Sequence, residues 1–143
     1  MSNGLSARRK LVVVDRNSGI RITMTKILLV EDHPELREVL QRQIEWLGFT
    51  TIIAKNGKEG VDRAVAEKPD LILMNSAMPE MDGWEATKIL RSNPQTKDIP
   101  ILAATAMFRP ADLRAWLDVG CNDYIVKPFT LDELSRKIRA LIS

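Results

Sequence analysis

Residues 26–143 predict an α/β protein, a doubly wound five-stranded parallel sheet with helices on both faces. Three observations carry this. The runs Ile27-Leu28-Leu29-Val30 and Leu71-Ile72-Leu73-Met74 are too continuously apolar for strands with one wet face. Between such runs, apolar residues recur at helical spacing, as at Leu36, Val39, Leu40, Ile44 and Leu47. The two patterns alternate five times, as in βα units joined by right-handed crossovers.

Each element has its own signal. After the first strand, Pro34 suits the first position of a helix, which Gly48 ends. Thr50 to Ala54 is short and β-branched, hence a strand. Asn56-Gly57 reads as a turn, and a helix follows from Gly60 to Lys68, stopped by Pro69. Leu71 to Met74 is the third strand. Trp84 to Arg91 forms a helix that ends near Asn93-Pro94. Ile99 to Ala104 is the fourth strand, with Pro100 tolerable only at its start. Leu113, Trp116 and Leu117 mark the fourth helix, closed by Gly120, and Tyr124-Ile125-Val126 is the fifth strand. Thr130-Leu131-Asp132-Glu133 is a capping box for a last helix carrying Leu134, Ile138, Leu141 and Ile142.

Composition narrows the function classes. At 143 residues with 45% hydrophobic and 28% charged residues, the chain suits one globular domain. A single cysteine, Cys121, excludes an internal disulfide and a cysteine-based zinc site, and points to a reducing, cytoplasmic compartment. The sequence has no apolar run approaching the ~20 residues of a membrane span. Of 21 basic and 19 acidic residues, Arg8, Arg9, Lys10, Arg16, Arg21 and Asp15 lie in residues 1–25, leaving 16 basic and 18 acidic, net −2, for residues 26–143. The rest of the chain therefore gives no reason to expect nucleic acid or membrane as a partner. Residues 1–23 read as a basic leader, disordered or foreign to the folded protein, whose run Leu11 to Val14 has no partner strand signal beside it. The domain itself is expected at residues 24–143.

Ligand chemistry in such sheets collects where the strands end. The first strand ends in Glu31-Asp32, the third in Asn75, the fourth in Thr105, and the fifth leads to Lys127-Pro128. Adjacent carboxylates repel, and a hard cation such as Mg²⁺ relieves that. A lysine nearby supplies charge for a bound anion, and a threonine hydroxyl can donate to a phosphoryl oxygen. Together these parts suggest metal-assisted phosphoryl transfer.

Lys26-Ile27-Leu28-Leu29-Val30-Glu31-Asp32, Pro69 to Asn75, Met78-Pro79-Glu80-Met81-Asp82-Gly83, Thr105-Ala106 and Tyr124-Ile125-Val126-Lys127-Pro128-Phe129 together resemble the receiver domain of two-component response regulators, the CheY-like family. The resemblance spans residues 26–143. It implies a sheet of order 2-1-3-4-5, the flavodoxin/CheY-like fold, and a signalling module that is not an enzyme. It implies Mg²⁺ held by Glu31, by Asp32 as the more direct ligand, by the residue at 75 and by the backbone carbonyl of Ala77. It gives Thr105 the switch hydroxyl and Lys127 the phosphoryl-pairing charge, with a cis Lys127–Pro128 peptide. It makes Tyr124 the aromatic that follows the switch. The implied partners are a sensor histidine kinase or histidine phosphotransfer protein, and an output partner on the face formed by the fourth helix, fifth strand and last helix.

Asn75 departs from the family, which has the phosphorylated aspartate there. A carboxamide is neutral, its nitrogen lone pair is delocalised, and it cannot replace a carboxylate nucleophile. Acyl-phosphate formation is therefore expected to be lost and Mg²⁺ to bind weakly, while the near-isosteric swap spares the fold. Asn75 is either natural, giving a phosphorylation-independent interaction module, or an Asp→Asn replacement in an ordinary receiver; the residues fit both. With Ser143 close behind the last helix, the chain reads as a receiver standing alone or excised.

A small-molecule binder on a flavodoxin-like fold is the remote alternative. It would want a Gly- and Ser/Thr-rich phosphate loop where this chain has Glu31-Asp32-His33-Pro34. His33 is expected exposed at a helix start, and Cys121 as a small packing residue. Trp46, Trp84 and Trp116 are expected in helix–sheet packing, and Arg109-Pro110 in the loop before the fourth helix.

Overall fold

The computed structural model describes residues 9–15, 19–75 and 81–142, with side chains from residue 24 onward. Its elements run β1 (Arg9–Asp15), β2 (Gly19–Met24), β3 (Lys26–Val30), α1 (Pro34–Trp46), β4 (Thr50–Ala54), α2 (Gly57–Glu67), β5 (Leu71–Asn75), α3 (Gly83–Ser92), β6 (Ile101–Thr105), α4 (Pro110–Val119), β7 (Asp123–Val126) and α5 (Leu131–Ile142). Strands β3 to β7 form one parallel sheet in the order β4-β3-β5-β6-β7. Counted within that sheet, this is the expected order 2-1-3-4-5.

Alternation along each strand splits the core in two. Leu28, Val30, Ile72, Met74, Ile101 and Ala103 face one side, where Ala64 of α2, Ala86 and Leu90 of α3 and Trp116 of α4 cover them. Ile27, Leu29, Leu71, Leu73, Leu102 and Ala104 face the other, beneath Leu40 and Ile44 of α1 and Leu134 and Ile138 of α5. Burial on both faces explains why β3, β5 and β6 read as unbroken apolar runs. The order reverses at β3, so the switch point lies where β3 and β5 end side by side.

Several boundaries differ from the sequence reading. Asn56-Gly57 is a helix start rather than a turn: Asn56 Oδ1 accepts from Glu59 N at 2.8 Å and caps α2. Gly57 has no side chain because a Cβ there would collide with the Met81 carbonyl. Arg109 and Pro110 likewise open α4 directly. The capping box forms as expected, with Glu133 N donating to Thr130 Oγ1 at 3.1 Å and Thr130 N to Glu133 Oε1 at 3.0 Å. Trp84 and Trp116 pack edge to face, ring centroids 5.2 Å apart. Trp46 does not pack: it is 77% exposed, because the α1 positions that meet the sheet are Leu40 and Ile44 and it lies off that stripe.

One reading within the leader differs, the absence of a partner for Leu11 to Val14. Strands β1 and β2 pair antiparallel as a separate two-stranded sheet, Val12 opposite Ile22 and Val14 opposite Ile20. The partner strand that the sequence reading did not find is Gly19–Met24.

Candidate functional site

Four side chains meet at the switch point. Glu31 follows β3 and is 2% exposed; Asn75 ends β5 and is 7% exposed. Asn75 Nδ2 donates to Glu31 Oε2 at 3.0 Å and to Asp32 Oδ1 at 3.3 Å. On the other side, Lys127 Nζ donates to Asn75 Oδ1 at 2.8 Å. The carboxamide thus turns its donor end to the two carboxylates and its acceptor end to the cation.

The backbone around this group is fixed from several directions. Glu31 N donates to the Ala54 carbonyl at 3.0 Å, and His33 N returns to Glu31 Oε2 at 3.1 Å. Lys127 N donates to the Thr105 carbonyl at 2.8 Å, just before a cis Lys127–Pro128 peptide. A Cβ on Gly83 would strike the Asn75 carbonyl oxygen, so α3 starts hard against the end of β5. Asp82 caps that helix by accepting from Glu85 N at 2.9 Å.

Burial raises the Glu31 carboxyl above its ordinary value; the His33 amide and Lys127 oppose the rise, and Asp32 adds to it. The carboxylate with the least water is therefore the one that Asn75 and His33 both contact.

The other expected residues divide. Thr105 ends β6 fully buried, and its Oγ1 accepts from Met107 N at 3.0 Å. Tyr124 lies in the wall of an open groove of about 420 Å³ with Pro110, Leu113, Arg114 and Leu117. Lys137 Nζ lies 5.1 Å from its ring centroid. Ala77 lies outside the described residues. His33 is exposed and caps α1, its Nδ1 accepting from Leu36 N at 3.3 Å. Cys121 is buried with its Sγ 3.8 Å from Thr87 Oγ1, and burial pushes its thiol up to about 11. Among the described residues, no three His, Cys, Asp or Glu side chains come together as a metal centre.

The sequence reading missed Arg37. From α1 its Nη1 donates to the carbonyls of Glu31, at 3.0 Å, and Asp32, at 3.4 Å. The signal was there: helical side chains lean toward the N-terminus, and a basic residue five after the acidic pair can reach back over it.

The sequence model of the response regulator receiver domain family matches residues 27–139. Response regulator MprA of Mycolicibacterium vanbaalenii is 38% identical over 117 residues, which are 82% of this chain and 50% of that protein. The probable transcriptional regulator ycf27 of Guillardia theta is 32% identical over 120 residues, 84% of this chain and 46% of the relative. The chain thus spans about half the length of the curated relatives it matches. Among solved structures, chemotaxis protein CheY4 of Vibrio cholerae superposes with a TM-score of 0.78 at 28% identity, covering 83% of this chain and 99% of that one. The receiver domain of sensor histidine kinase PA1611 from Pseudomonas aeruginosa, with a magnesium ion in its active-site cleft, gives 0.77 at 35% identity, covering 82% and 97%.

Proposed function

Because this chain belongs to the response regulator receiver domain family, we propose that it is a receiver module of two-component signalling in which Asn75 holds the phosphoacceptor position, so that no acyl phosphate forms. The observation that carries this is the buried Asn75 side chain at the end of β5, hydrogen-bonded to Glu31, Asp32 and Lys127. An aspartate there would have a carboxylate beside a cation-binding pair and a lysine. Asparagine has a neutral amide.

In this reading the module is not an enzyme and works in the cytoplasm. Among the described residues no helix is long and apolar enough to cross a membrane. Its partners are a histidine kinase or histidine phosphotransfer protein and an output protein, the latter on the face of α4, β7 and α5. Thr105 would contact the phosphoryl group, and Tyr124 would follow the switch. Glu31 and Asp32 fit Mg²⁺ as two hard oxygen donors, but with a neutral amide as third neighbour the ion binds weakly. It would supply charge neutralisation for a transferring phosphoryl group.

The test is intact mass after exposure to acetyl phosphate with Mg²⁺. The parent chain stays unmodified, and Asn75→Asp gains one phosphoryl group that hydroxylamine removes. An adduct on the parent chain, or none on Asn75→Asp, refutes the reading. If the parent chain nonetheless holds a partner through the α4–β7–α5 face, the module acts independently of phosphorylation.

A further inference from the structure

We propose that the Asn75 carboxamide is the acidic pair's built-in hydrogen-bond donor, competing with a divalent ion for Glu31 and Asp32 instead of joining them as a ligand. The inference rests on the reading of Glu31 and Asp32 as the cation site. It runs against the simplest carry-over from the family, in which the side chain at 75 adds an oxygen ligand.

The argument is one of orientation. A carboxamide is a dipole, with a donor end and an acceptor end. The local field here has a fixed direction, with Glu31 and Asp32 on one side and the Lys127 ammonium on the other. Asn75 lies along it: Nδ2 faces the carboxylates at 3.0 and 3.3 Å, and Oδ1 faces Nζ at 2.8 Å. The space a cation would take between the two carboxylates is met by the two N–H bonds of one amide nitrogen.

For Asn75 to serve as a ligand, its Oδ1 must turn toward the carboxylates. That breaks both Nδ2 bonds, and it sets an NH₂ group against the Lys127 ammonium, donor to donor. An aspartate has acceptors at both ends and gains a metal ligand without giving up a donor. Asparagine therefore does more than remove a charge: it supplies a competitor that is always present and covalently attached.

The two views give opposite signs for one variant. Asn75→Ala removes an oxygen able to ligate, and also the amide that covers the carboxylates. If Asn75 is a ligand, Mg²⁺ binding weakens. If it is the competing donor, binding tightens by about tenfold or more, since even one hydrogen bond to a charged group that need no longer be broken is worth about that factor. The experiment is calorimetric titration with Mg²⁺ alone of the parent, Asn75→Ala, Asn75→Asp and Asn75→Ala/Asp32→Ala. Expected is tighter binding by Asn75→Ala than by the parent, and loss in the double variant. Equal or weaker binding by Asn75→Ala overturns the proposal. Absence of binding in Asn75→Asp overturns the cation site itself.

A second measurement covers the case in which Asn75→Ala folds poorly. In the parent chain, saturating Mg²⁺ must shift the Asn75 side-chain NH₂ resonances, because the amide has left both carboxylates. Resonances that stay in place while Mg²⁺ binds refute the competition. Phosphoryl uptake by Asn75→Asp is read separately, so failure here leaves the functional reading standing.

Discussion

Lys127 reaches Asn75 across an intervening strand. β6 lies between β5 and β7, yet Lys127 Nζ sits 2.8 Å from Asn75 Oδ1. The lysine leaves β7 just past its end, where its own N–H is tied to the Thr105 carbonyl of β6. The chain of contacts Asp32, Glu31, Asn75, Lys127 and the Thr105 carbonyl therefore links the ends of four strands, β3, β5, β6 and β7.

Lys127→Met should cost stability, because it leaves Asn75 Oδ1 without its cationic donor beside a buried amide. We expect a loss of about 1–2 kcal/mol, read as a lower unfolding midpoint in urea with an unchanged slope. In the Asn75→Asp background the same change should shorten the lifetime of any phosphoryl adduct more than it shifts that midpoint.

Glu31→Gln should stabilise the protein at neutral pH. Burial raises the Glu31 carboxyl. A carboxyl raised in the folded state favours folding below its unfolded range, and that contribution is lost as pH rises through the folded value. The amide of Glu31→Gln has no charge to bury, and its oxygen can still accept from Asn75. Thermal melts should show the variant gaining on the parent from pH 4 to pH 7, by roughly 2–8 °C for a gain of ~1 kcal/mol. A gap that narrows over that range would mean that Lys127 and the His33 amide outweigh burial.

Cys121 should resist alkylation in the folded protein. Its thiol is pushed up to about 11, so almost none is thiolate at pH 8. The same rise contributes stability that is present below the free thiol's range and lost between about pH 9 and 11. Cys121→Ala should flatten that part of the pH–stability curve relative to the parent. Rapid labelling by iodoacetamide at pH 8 without denaturant would contradict the burial.

Arg91→Ala should be among the more damaging single changes on the surface of α3. Its guanidinium donates to the carbonyls of Gly120 at 2.8 Å, Lys97 at 3.0 Å and Ile99 at 2.8 Å, and to Asn122 Oδ1 at 2.6 Å. Removing it strands several acceptors at once, for a loss of about 2–4 kcal/mol by chemical denaturation. Mg²⁺ binding should be unchanged, because these groups lie at the other end of the sheet from Asn75.

A chain beginning at Met24 should melt close to the full-length protein. Among the described residues β1 and β2 share no strand pairing with the five-stranded sheet, and an isolated two-stranded sheet is marginal on its own. A fall in Tm of more than about 8 °C would show that the two-stranded sheet packs on the domain.

The five βα units were legible because both faces of the sheet are dry, which gives β3 and β5 unbroken apolar runs. The site was legible because strand-end positions gather in space, and Glu31, Asp32, Asn75 and Lys127 do meet there. The misses have physical causes. Asn-Gly serves equally as a turn and as a cap followed by a close approach, and only the position of the Met81 backbone decides. Trp46 has a core residue's chemistry but lies off the buried stripe of α1. Arg91 acts mainly on backbone carbonyls, which no side-chain motif records. The strand Gly19–Met24 is interrupted by Arg21 and flows into Lys26, so its own identity was hidden.

The Arg91 guanidinium sets a direction of rigidity along the sheet. It ties the end of α3 to the segment leading into β6 and to the turn before β7, and Asn122 Oδ1 also receives Ile101 N at 2.8 Å. At the opposite margin, Met107 and Phe108 are exposed just beyond Thr105. Hydrogen exchange should grade accordingly along single strands. The amide of Ile101 would be among the last to exchange and that of Phe108 among the first, so the sheet is hemmed where Arg91 clasps it and the chain loosens just past Thr105.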